Sequence, residues 1–288
     1  MNSRLFLKPD LHMHSVFSDG TDTPETLIDA VKAAGIDLFS LTDHDSYLGC
    51  EAVAGLLGGQ GLAFLPGIEF SCRDEKGKYH ILGYGYNTGK PSIRDAAEIT
   101  HNARRQKVFG RLNYLKEEFG FVFRDEDLEL LLALENPGKP HIAKLMVQYG
   151  YADSIARAFE YMKGYKGVER YLSPLEAIDA ILHADGIPVL AHGLFGDGSQ
   201  HLSETEIERR VCLMKEYGLM GLECYYSGFE ENQVNQMLEL ADRYNLFITA
   251  GSDYHGKNKK VRLGDTGSLP DPARMERFYK AIVLMGKV

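Results

Sequence analysis

The sequence predicts an α/β fold in which strand–helix units repeat and build a parallel sheet or barrel. Three observations support this fold class. Strand-like and helix-like patterns alternate over residues 1–91 and again over 169–288, whereas residues 92–168 show helical patterns only. Side chains that carry chemistry also stand where the predicted strands end. We therefore expect one β/α domain of residues 1–91 and 169–288, interrupted by a helical insertion at 92–168.

The first strand–helix unit has clear start and stop signals. Residues 10–14 are predicted to form a strand, and a helix is predicted to begin at Thr23-Pro24-Glu25. Thr23 suits the N-cap, Pro24 suits the first helical position, and Glu25 suits the positive end of the helix dipole. Gly35 is expected to end this helix.

The alternation continues along the rest of the chain. Before the insertion we predict a short helix around 52–57 and strands at 36–41, 62–70 and 79–86. After it, residues 173–176 have the pattern of a capping box and open a helix that ends at Gly186. The remaining predicted elements are strands at 187–191, 219–224 and 246–250, a helix at 230–244 and a final helix after residue 270.

Composition indicates a soluble globular protein and excludes several other classes. Hydrophobic residues make up 44% and charged residues 25% of the chain, which does not fit a disordered chain, a collagen or a coiled coil. No apolar run approaches the roughly 20 residues that a membrane-spanning helix needs. The first residues also lack the apolar core of a signal peptide. We therefore expect no membrane partner.

Charge and cysteine content bear on partners and compartment. The net charge is −9, and proteins that grip long nucleic acids usually present a basic face, so we expect no long nucleic acid as partner. A small local cationic pocket is compatible with this charge. The four cysteines are widely spaced, so we expect them to be reduced and the protein to be cytoplasmic. The oligomeric state stays open.

Histidines and acidic residues gather at the ends of the predicted strands. In parallel sheets and barrels, chemistry is found at the carboxyl ends of the strands. Six of the ten histidines fall at such positions. The candidate residues, in chain order, are His12, His14, Asp19, His44, Glu69, His80, His192, Asp253 and His255.

This set of side chains is typical of a metal site. Residues i and i+2 of a strand point to the same side, so His12 and His14 can reach one ion together, as can Asp253 and His255. Imidazole and carboxylate ligands suit Zn²⁺, Mn²⁺ or Fe²⁺ better than ions that prefer thiolate. Nine candidate ligands exceed what one ion accepts, so we expect two or three divalent metal ions.

Each of these features has a plainer interpretation when taken alone. A single His-x-His in a strand is often a packing or hydrogen-bonding pair. Asp43 and Asp45 beside His44 suit a turn. Glu69 suits a solvated strand end, and His192 suits a hydrogen-bonded core position. The convergence of ligand types on six strand ends favours a metal site over these separate explanations.

Five short motifs make the sequence similar to a known family. They are Asp10-Leu11-His12-Met13-His14-Ser15, Ser18-Asp19-Gly20-Thr21, Leu41-Thr42-Asp43-His44-Asp45, Gly67-Ile68-Glu69 and Gly251-Ser252-Asp253-Tyr254-His255. Together they resemble the PHP (polymerase and histidinol phosphatase) family of metal-dependent phosphoesterases, over nearly the whole chain. The resemblance implies a distorted (β/α)7 TIM-like barrel. The insertion resembles a branch that contains nucleotide 3′,5′-bisphosphate phosphatases with RNase AM-like activity, and cyclic-phosphate hydrolases share this general build.

The resemblance also implies roles for the candidate ligands. The first metal would be held by His12, His14, Glu69 and Asp253, the second by Asp19, His44 and His255, and a third by Glu69, His80 and His192. The predicted catalytic residues are His192, His255 and Asp253, the two histidines as proton donors to the leaving group. Asp19 stands where some relatives have histidine, and Gly193 follows His192 where the family often has proline.

The resulting hypothesis is a metal-dependent hydrolase of phosphate esters, in which a hydroxide shared by two metals attacks phosphorus. The favoured substrate is a nucleoside 3′,5′-bisphosphate or the 5′ end of a short oligonucleotide. One alternative substrate is a cyclic phosphodiester, a sugar phosphate or a histidinol-phosphate-like ester, and another alternative is a non-catalytic metal-binding module. An RNA-binding module fits poorly with the net charge of −9.

The predicted insertion, a substrate cap in this hypothesis, offers cations for phosphate. Arg104, Lys107 and Arg111 lie at i, i+3 and i+7, on one stripe of a predicted helix. Arginine forks match phosphate oxygens, although a solvated helix face explains such a stripe equally well. Three further candidates for substrate contact lie in glycine-containing runs at 138–144 and 163–167, and they are His141, Lys144 and Lys166.

Other residues are expected to support these sites. Glu223 lies on a predicted strand near the metal candidates and suits a supporting contact. The residues suited to stacking on a base or sugar, or simply to packing, are Tyr225, Tyr226 and Tyr254. Beside the cation stripe, an apolar stripe suited to burial is formed by Val108, Leu112 and Leu115.

Overall fold

The computed structural model describes residues 6–58, 61–134, 137–167 and 170–286. Two compact units are present. Residues 1–97 together with 172–288 form the first, here called the β/α unit, and residues 98–171 form the second, here called the helical unit. The insertion expected from the sequence, at 92–168, begins six residues before this helical unit and ends three residues before its end.

Strands and helices alternate in the β/α unit, whereas the described part of the helical unit contains helices only. The strands are β1 (Pro9–Asp10), β2 (Leu38–Phe39), β3 (Ala63–Phe64), β4 (Gly67–Asp74), β5 (Gly77–Tyr84), β6 (Ile187–Leu190), β7 (Gly221–Tyr226) and β8 (Phe247–Gly251). The helices are α1 (Pro24–Ala33), α2 (Leu48–Leu56), α3 (Ser92–Phe119), α4 (Asp125–Leu132), α5 (Lys139–Gln148), α6 (Ile155–Met162), α7 (Pro174–His183), α8 (Glu204–Glu216), α9 (Glu231–Arg243) and α10 (Pro272–Leu284). Among the described helices, none combines the length and apolar character needed to cross a bilayer.

Local sequence signals determine where the helices begin and end. The Thr23 side chain caps α1, Pro24 is its first residue, and Gly35 adopts a φ of 66° just beyond it. At α7, the Ser173 N–H donates to Glu176 Oε2 at 2.8 Å, and the Ser173 hydroxyl accepts from the Glu176 N–H. Such caps each stabilise a helix by about 1 kcal/mol.

Burial of apolar faces attaches the helices to their cores. In the β/α unit, Leu27, Ile28 and Val31 of α1 pack with Phe39 of β2, and each is buried. Side chains of this kind contribute about 1.5–3 kcal/mol each when fully buried. The helical unit has a separate core, whose described members are Val108, Leu112, Leu115, Phe123, Leu131, Ile142, Ala143, Leu145, Met146, Ala152, Ala158 and Met162. The apolar stripe expected on α3 therefore packs inside the helical unit itself.

The described strands pair in two sheets. β1, β2 and β3 form a parallel sheet, and β4 to β8 form a second sheet in sequence order. β6, β7 and β8 are parallel, but β5 is antiparallel to both of its neighbours. The antiparallel pairing has a simple cause, because only Glu75 and Lys76 separate β4 from β5. Two residues can close a hairpin but cannot hold the crossover that a parallel pair requires.

Several strands differ in length from the prediction. The first is only Pro9–Asp10, so His12 and His14 lie beyond its end rather than inside it. The predicted strand at 62–70 is two strands, β3 and β4, separated by Leu65-Pro66. Proline removes a backbone donor from a sheet ladder, which explains the break. Glu69 consequently lies inside β4, not at a strand end.

The two sheets adjoin where the segments that follow β1 and β2 contact the larger sheet. The Leu11 N–H donates to the Ala250 carbonyl at 2.9 Å beyond the end of β1. On the other side, His44 forms a parallel bridge with Glu69, and the Asp45 N–H donates to the Glu69 carbonyl at 2.9 Å. These contacts bring strand ends from both sheets together. The α/β fold class is confirmed, and closure into a (β/α)7 barrel stays a prediction.

Candidate metal centre

Two segments that carry ligand candidates lie side by side. One follows β1 and the other follows β8, and Met13 pairs with Tyr254 in a parallel bridge between them. The His12 carbonyl accepts the Asp253 N–H at 2.7 Å, and the His14 N–H donates to the Tyr254 carbonyl at 2.8 Å. The alternation of side chains along such segments places residues two apart on a common side. As a result, His12, His14 and Asp253 face one region.

The other candidates reach that region from different elements. Glu69 lies in β4 and His80 in β5, so the hairpin supplies one carboxylate and one imidazole. His44 follows β2, and His192 directly follows β6. The backbone of His192 has a φ of 28°, and that of Asp253 has a φ of 57°. Left-handed conformations at non-glycine residues cost of order 1–3 kcal/mol and concentrate at functional sites.

The structure places all nine sequence-predicted candidates in one cluster of overlapping groups. Within each group, one possible ligand atom of every residue lies within 4.8 Å of the others. The four groups are His14 with Asp19, His44 and His255; His12 with Glu69 and His192; His12 with His14 and Asp253; and His44 with Glu69 and His80. Shared members link the groups, which is the arrangement expected of neighbouring ions that share ligands.

Exposure differs across this cluster. His12, His14 and Glu69 have side chains with no exposed surface. The side chains of His44 and His80 are each 15% exposed, and that of Asp19 is 52% exposed. A ligand from solvent therefore meets the cluster first on the Asp19, His44 and His80 side.

Hydrogen bonds determine which nitrogen of His12 faces the cluster. Its Nδ1 lies 2.9 Å from Glu223 Oε1, and an ionised carboxylate only accepts, so Nδ1 carries the proton. Nε2 of the neutral ring then presents a lone pair 3.2 Å from Glu69 Oε2 and 3.6 Å from Asp253 Oδ1. Three acceptors that face one another with no proton between them leave room for a cation. A carboxylate behind a ligating histidine is the usual supporting arrangement in metal sites.

His255 is oriented in the same way. Its Nδ1 donates to the Asp253 carbonyl at 2.8 Å, which leaves the Nε2 lone pair 3.2 Å from Asp19 Oδ1. Five buried cluster atoms have no hydrogen-bond partner among the described residues, namely His12 Nε2, His14 Nε2, His44 Nδ1, Glu69 Oε2 and His192 Nδ1. Buried polar atoms are almost always paired. Imidazole nitrogens and carboxylate oxygens left without partners fit divalent metal ions of the Zn²⁺, Mn²⁺ or Fe²⁺ type.

The pKa shifts within the cluster also favour a bound cation. Burial lowers the pKa of His14, but the facing carboxylates of Asp253 and Glu69 outweigh it and raise that pKa to about 9. Burial also raises the pKa of Glu69, yet the facing imidazoles of His12, His44 and His80, when protonated, hold it well below its usual value. The carboxylates thus attract positive charge strongly, and a bound cation would compete with protons on the imidazoles.

Further buried carboxylates hold the loops of the cluster. Asp43 accepts the Ser15 N–H at 2.8 Å and the Ser18 hydroxyl at 2.6 Å. Asp45 accepts the Ser71 N–H at 2.9 Å. Asp43 therefore fixes the loop after β1, and Asp45 joins the segment around His44 to β4.

Two contacts to Asp253 were not predicted from the sequence. The Tyr226 hydroxyl donates to Asp253 Oδ2 at 3.0 Å, so this tyrosine anchors a candidate ligand rather than standing free for stacking. Lys259 Nζ lies 2.6 Å from the same oxygen. The sequence itself indicates a role for this lysine, because it belongs to the basic run 257–262, which begins two residues after the candidate ligand His255. The expected support from Glu223 is observed, since it contacts His12.

The candidate substrate residues of the helical unit have partners of their own. Lys107 Nζ lies 3.0 Å from the Tyr171 hydroxyl, and the Arg111 guanidinium lies over the Tyr165 ring at 5.6 Å. The Gly138 N–H donates to His141 Nδ1 at 3.2 Å. Burial and the charge of Lys144 lower the pKa of His141. Arg104 is half-buried, and Lys144 and Lys166 are exposed. Contact of these residues with a substrate stays a prediction.

The cysteines match the expected reduced state. Cys50, Cys72 and Cys224 are buried as free thiols, and Cys212 is half-buried and free. Burial raises the pKa of Cys50 to about 12, so this thiol is inert toward reagents that attack the thiolate.

Known proteins resemble this chain over most of its length. A curated 5′-3′ exoribonuclease Rnm from Salmonella typhimurium is 30% identical over 91% of this chain and 89% of its own. A phosphoribosyl 1,2-cyclic phosphate 1,2-diphosphodiesterase from Eggerthella lenta is 31% identical over 88% of this chain and 95% of its own. A 3′,5′-nucleoside bisphosphate phosphatase from Chromobacterium violaceum is 27% identical over 92% of this chain and 93% of its own.

Solved structures and a family model agree with these relatives. The crystal structure of a metal-dependent phosphoesterase from Bifidobacterium adolescentis superimposes with a TM-score of 0.75 at 29% identity, covering 94% of this chain and 96% of that one. Residues 10–173, more than half of the chain, match the PHP domain family. The match includes six of the nine clustered residues, from His12 to His80. The chain therefore belongs to the PHP domain family and is a metal-dependent phosphoesterase.

Proposed function

We propose that this enzyme hydrolyses phosphate esters of a nucleoside 3′,5′-bisphosphate or of the 5′ end of a short oligonucleotide. The observation that carries the proposal is the cluster of nine imidazole and carboxylate side chains from several strands and loops. Relatives named for a bisphosphate phosphatase and for an exoribonuclease support the choice of substrate. Because some relatives are named exoribonucleases, RNA is also a substrate to be tested. The net charge of −9 favours short RNA chains over long ones.

A second candidate substrate is a cyclic phosphodiester. The Eggerthella lenta relative, 31% identical over 88% of this chain, is named for a cyclic phosphate. A cyclic phosphodiester carries one negative charge at the reacting phosphorus, whereas a phosphate monoester of a bisphosphate carries up to two, so the two candidates differ in the charge of the group that the site must hold. A phosphate monoester of another kind, either a sugar phosphate or histidinol phosphate, is the third substrate to be compared.

We assign the clustered residues to two or three divalent ions as the family resemblance implies. His12, His14, Glu69 and Asp253 would hold the first, and Asp19, His44 and His255 the second. A third would be held by Glu69, His80 and His192. When bound, such ions polarise the phosphoryl oxygens and make water a better nucleophile.

The chain's own residues prepare this chemistry. Glu223 holds the proton of His12 on Nδ1, and the Asp253 carbonyl holds that of His255 on Nδ1, so both Nε2 lone pairs face the cluster. Asp253 is fixed by Tyr226 and stays ionised. We assign proton donation to the leaving group to His192 or His255, and metal ligation competes with this role.

The test is phosphate release by metal-loaded protein. Full-length enzyme is loaded with Mn²⁺, Zn²⁺ or Fe²⁺ and assayed on adenosine 3′,5′-bisphosphate, a 5′-phosphorylated RNA trinucleotide, a cyclic phosphate and histidinol phosphate. We expect the first two to have the highest kcat/KM. Faster turnover of the cyclic phosphate would favour the second candidate, and no turnover of any ester with any metal would refute the proposal.

A further inference from the structure

We propose that the basic run, Lys257, Lys259, Lys260 and Arg262, binds a second phosphate of the substrate while the metal centre takes the phosphate to be hydrolysed. The inference rests on the proposed function, in which the substrate carries at least two phosphates. It places part of the specificity for a second anion in the β/α unit, next to the candidate ligands, in addition to any contribution from the cation stripe of α3. The position, the contacts and the charge of this run support it.

The basic run is tied to the metal cluster by its backbone and by one amide. It begins in a short turn directly after His255. Asn258 Nδ2 donates to the Asp19 carbonyl at 2.7 Å, and the Lys257 N–H donates to Thr21 Oγ1 at 2.9 Å. These bonds attach the turn to the loop that carries Asp19, the most exposed candidate ligand, whose side chain is 52% exposed. The run therefore lies on the side from which a ligand meets the cluster.

Lys259 contacts the cluster directly, through the carboxylate of Asp253. Its Nζ is 2.6 Å from Asp253 Oδ2, while Asp253 Oδ1 is 3.3 Å from His14 Nε2. The lysine side chain is 42% exposed, so part of its charge faces solvent beside the site. Arg262 is three residues further, and that length of chain spans at most about 11 Å. The four cations thus extend from the edge of the cluster over a distance that suits a neighbouring phosphate.

Nearby acids leave most of the charge of the run uncompensated. All four side chains are exposed. Among the described residues, Lys257, Lys260 and Arg262 form no ion pair. The next acid along the chain, Asp265, accepts the Gly267 N–H at 3.2 Å and so caps its own turn. In a chain of net charge −9, these three cations and Lys259, all within six residues, create a local positive potential.

Position distinguishes this run from an ordinary solvated surface. A phosphate group bound at the metal cluster brings any second phosphate of the same small molecule to within a few atoms of the cluster edge. Exposed ammonium groups suit such a group because they are mobile point charges, and an arginine fork adds a bidentate contact. A monoester without a second anion gains none of these interactions.

The experiment compares substrates with and without a second phosphate. The variant K260Q/R262Q removes two cations that contact no candidate metal ligand, and it is assayed as the Mn²⁺-loaded full chain. Substrates are adenosine 3′,5′-bisphosphate, a 5′-phosphorylated RNA trinucleotide and p-nitrophenyl phosphate. We expect kcat/KM for the first two to fall about tenfold more than for p-nitrophenyl phosphate, through KM. For the RNA, the slope of log KM against log salt concentration should decrease by about 0.7 for each cation–phosphate interaction that the variant removes.

Two controls separate the basic run from other effects. K32Q/K280Q makes the same change in net charge at lysines elsewhere in the β/α unit, and we expect all three substrates to keep their wild-type kinetics. The charge-preserving variant K260R/R262K should retain the preference for a second phosphate. The single variants K260Q and R262Q provide the same comparison if the double variant folds poorly, as judged by bound metal per chain.

The outcomes distinguish this inference from the proposed function. Suppose that the wild-type enzyme hydrolyses the bisphosphate, and that K260Q/R262Q has either unchanged kinetics or the same loss of kcat/KM on all three substrates. This result overturns the second-phosphate site and leaves the proposed function standing. A wild-type enzyme that releases no phosphate from any substrate refutes the proposed function and this inference with it. If the variant lowers kcat/KM for the bisphosphate alone, the run binds the second phosphate of that substrate. If it also lowers kcat/KM for the RNA trinucleotide, the run binds the adjoining nucleotide as well.

Discussion

Glu223 holds two candidate ligands with one buried carboxylate. Its Oε1 lies 2.9 Å from His12 Nδ1, and its Oε2 accepts the His192 N–H at 2.7 Å. The first contact selects the tautomer of His12, and the second supports the left-handed backbone of His192. A single acid thus determines the orientation of residues that are far apart in the sequence. The sequence places Glu223 only near the site and gives no sign of this double role.

A glycine makes this close arrangement possible, and its replacement tests it. A Cβ at position 251 would lie closer than any real contact to the Cβ of His12, and 2.5 Å from Glu223 Oε1. We expect Gly251→Ala to displace His12, to lower the free energy of unfolding by about 1–3 kcal/mol, and to reduce bound metal. Urea denaturation and metal analysis measure the two effects.

Gly55→Ala is the matched control. Gly55 lies in α2, and an added Cβ there would meet nothing within 4 Å. Alanine in a helix is favoured over glycine, so this variant should keep its metal and gain up to about 1 kcal/mol of stability. A Gly251→Ala protein with wild-type stability and metal content would show that the packing of His12 tolerates displacement.

At the scale of elements, the hairpin of β4 and β5 supplies Glu69 and His80 to the cluster. Arg210 of α8 contacts the tip of that hairpin. This arginine is only 4% exposed. Its guanidinium donates to the carbonyls of Lys76 and Lys78 at 3.3 Å and lies over the Tyr79 ring at 4.6 Å. A buried cation that satisfies two hairpin carbonyls fixes the strand pair that the metal centre depends on.

Removing this clamp should loosen the hairpin. We expect Arg210→Ala to cost about 1–3 kcal/mol, because it removes two hydrogen bonds to hairpin carbonyls and a cation–π contact. Hydrogen exchange should accelerate in β4 and β5 before the rest of the β/α unit. Arg209→Ala is the control, since the Arg209 side chain is 41% exposed and pairs with Glu206 on the same helix. Equal exchange in both variants would remove the proposed role of Arg210.

The cation stripe of α3 is a second element with a testable role. We expect Arg104→Ala or Arg111→Ala to raise KM for adenosine 3′,5′-bisphosphate more than for p-nitrophenyl phosphate, by about tenfold for each arginine–phosphate interaction removed. Steady-state kinetics provide the measurement. Lys116→Ala, which removes an exposed cation from the same helix, should leave both values unchanged. If KM rises equally for both substrates, the stripe does not bind a second phosphate.

At the scale of the whole molecule, the sequence predicted the chemistry better than the strand pattern. The nine clustered residues were recognisable because imidazoles and carboxylates recur after successive strands. The antiparallel β4–β5 hairpin was missed because apolar alternation reports burial and not strand direction. Tyr226 and Lys259 were missed as supports of Asp253 because their contacts span turns whose geometry depends on the tertiary fold. The basic run itself was visible in the sequence, but its place beside the cluster was not.

Metal loading should stabilise one unit of the molecule more than the other. The ligand candidates all lie in the β/α unit, whereas the helical unit has a separate core. At a metal concentration of 100 times Kd, a single site adds about 2.7 kcal/mol to the free energy of unfolding. We expect Mn²⁺ or Zn²⁺ to slow hydrogen exchange around the cluster, and a chelator to reverse this, with little change in the core formed around Ile142.

Glu69→Gln shows whether this stabilisation arises from the cluster. Glu69 is fully buried and lies within 3.2 Å of His12, His14, His44 and His80. Replacing its charge should abolish most of the metal-dependent stabilisation and lower phosphate release by at least about a hundredfold, because a shared ligand is removed. Glu51→Gln, at an exposed position in α2, should behave as wild type. If Glu69→Gln retained the full metal-dependent shift, the stabilising ions would be bound elsewhere, and the cluster would lose its place as the metal centre.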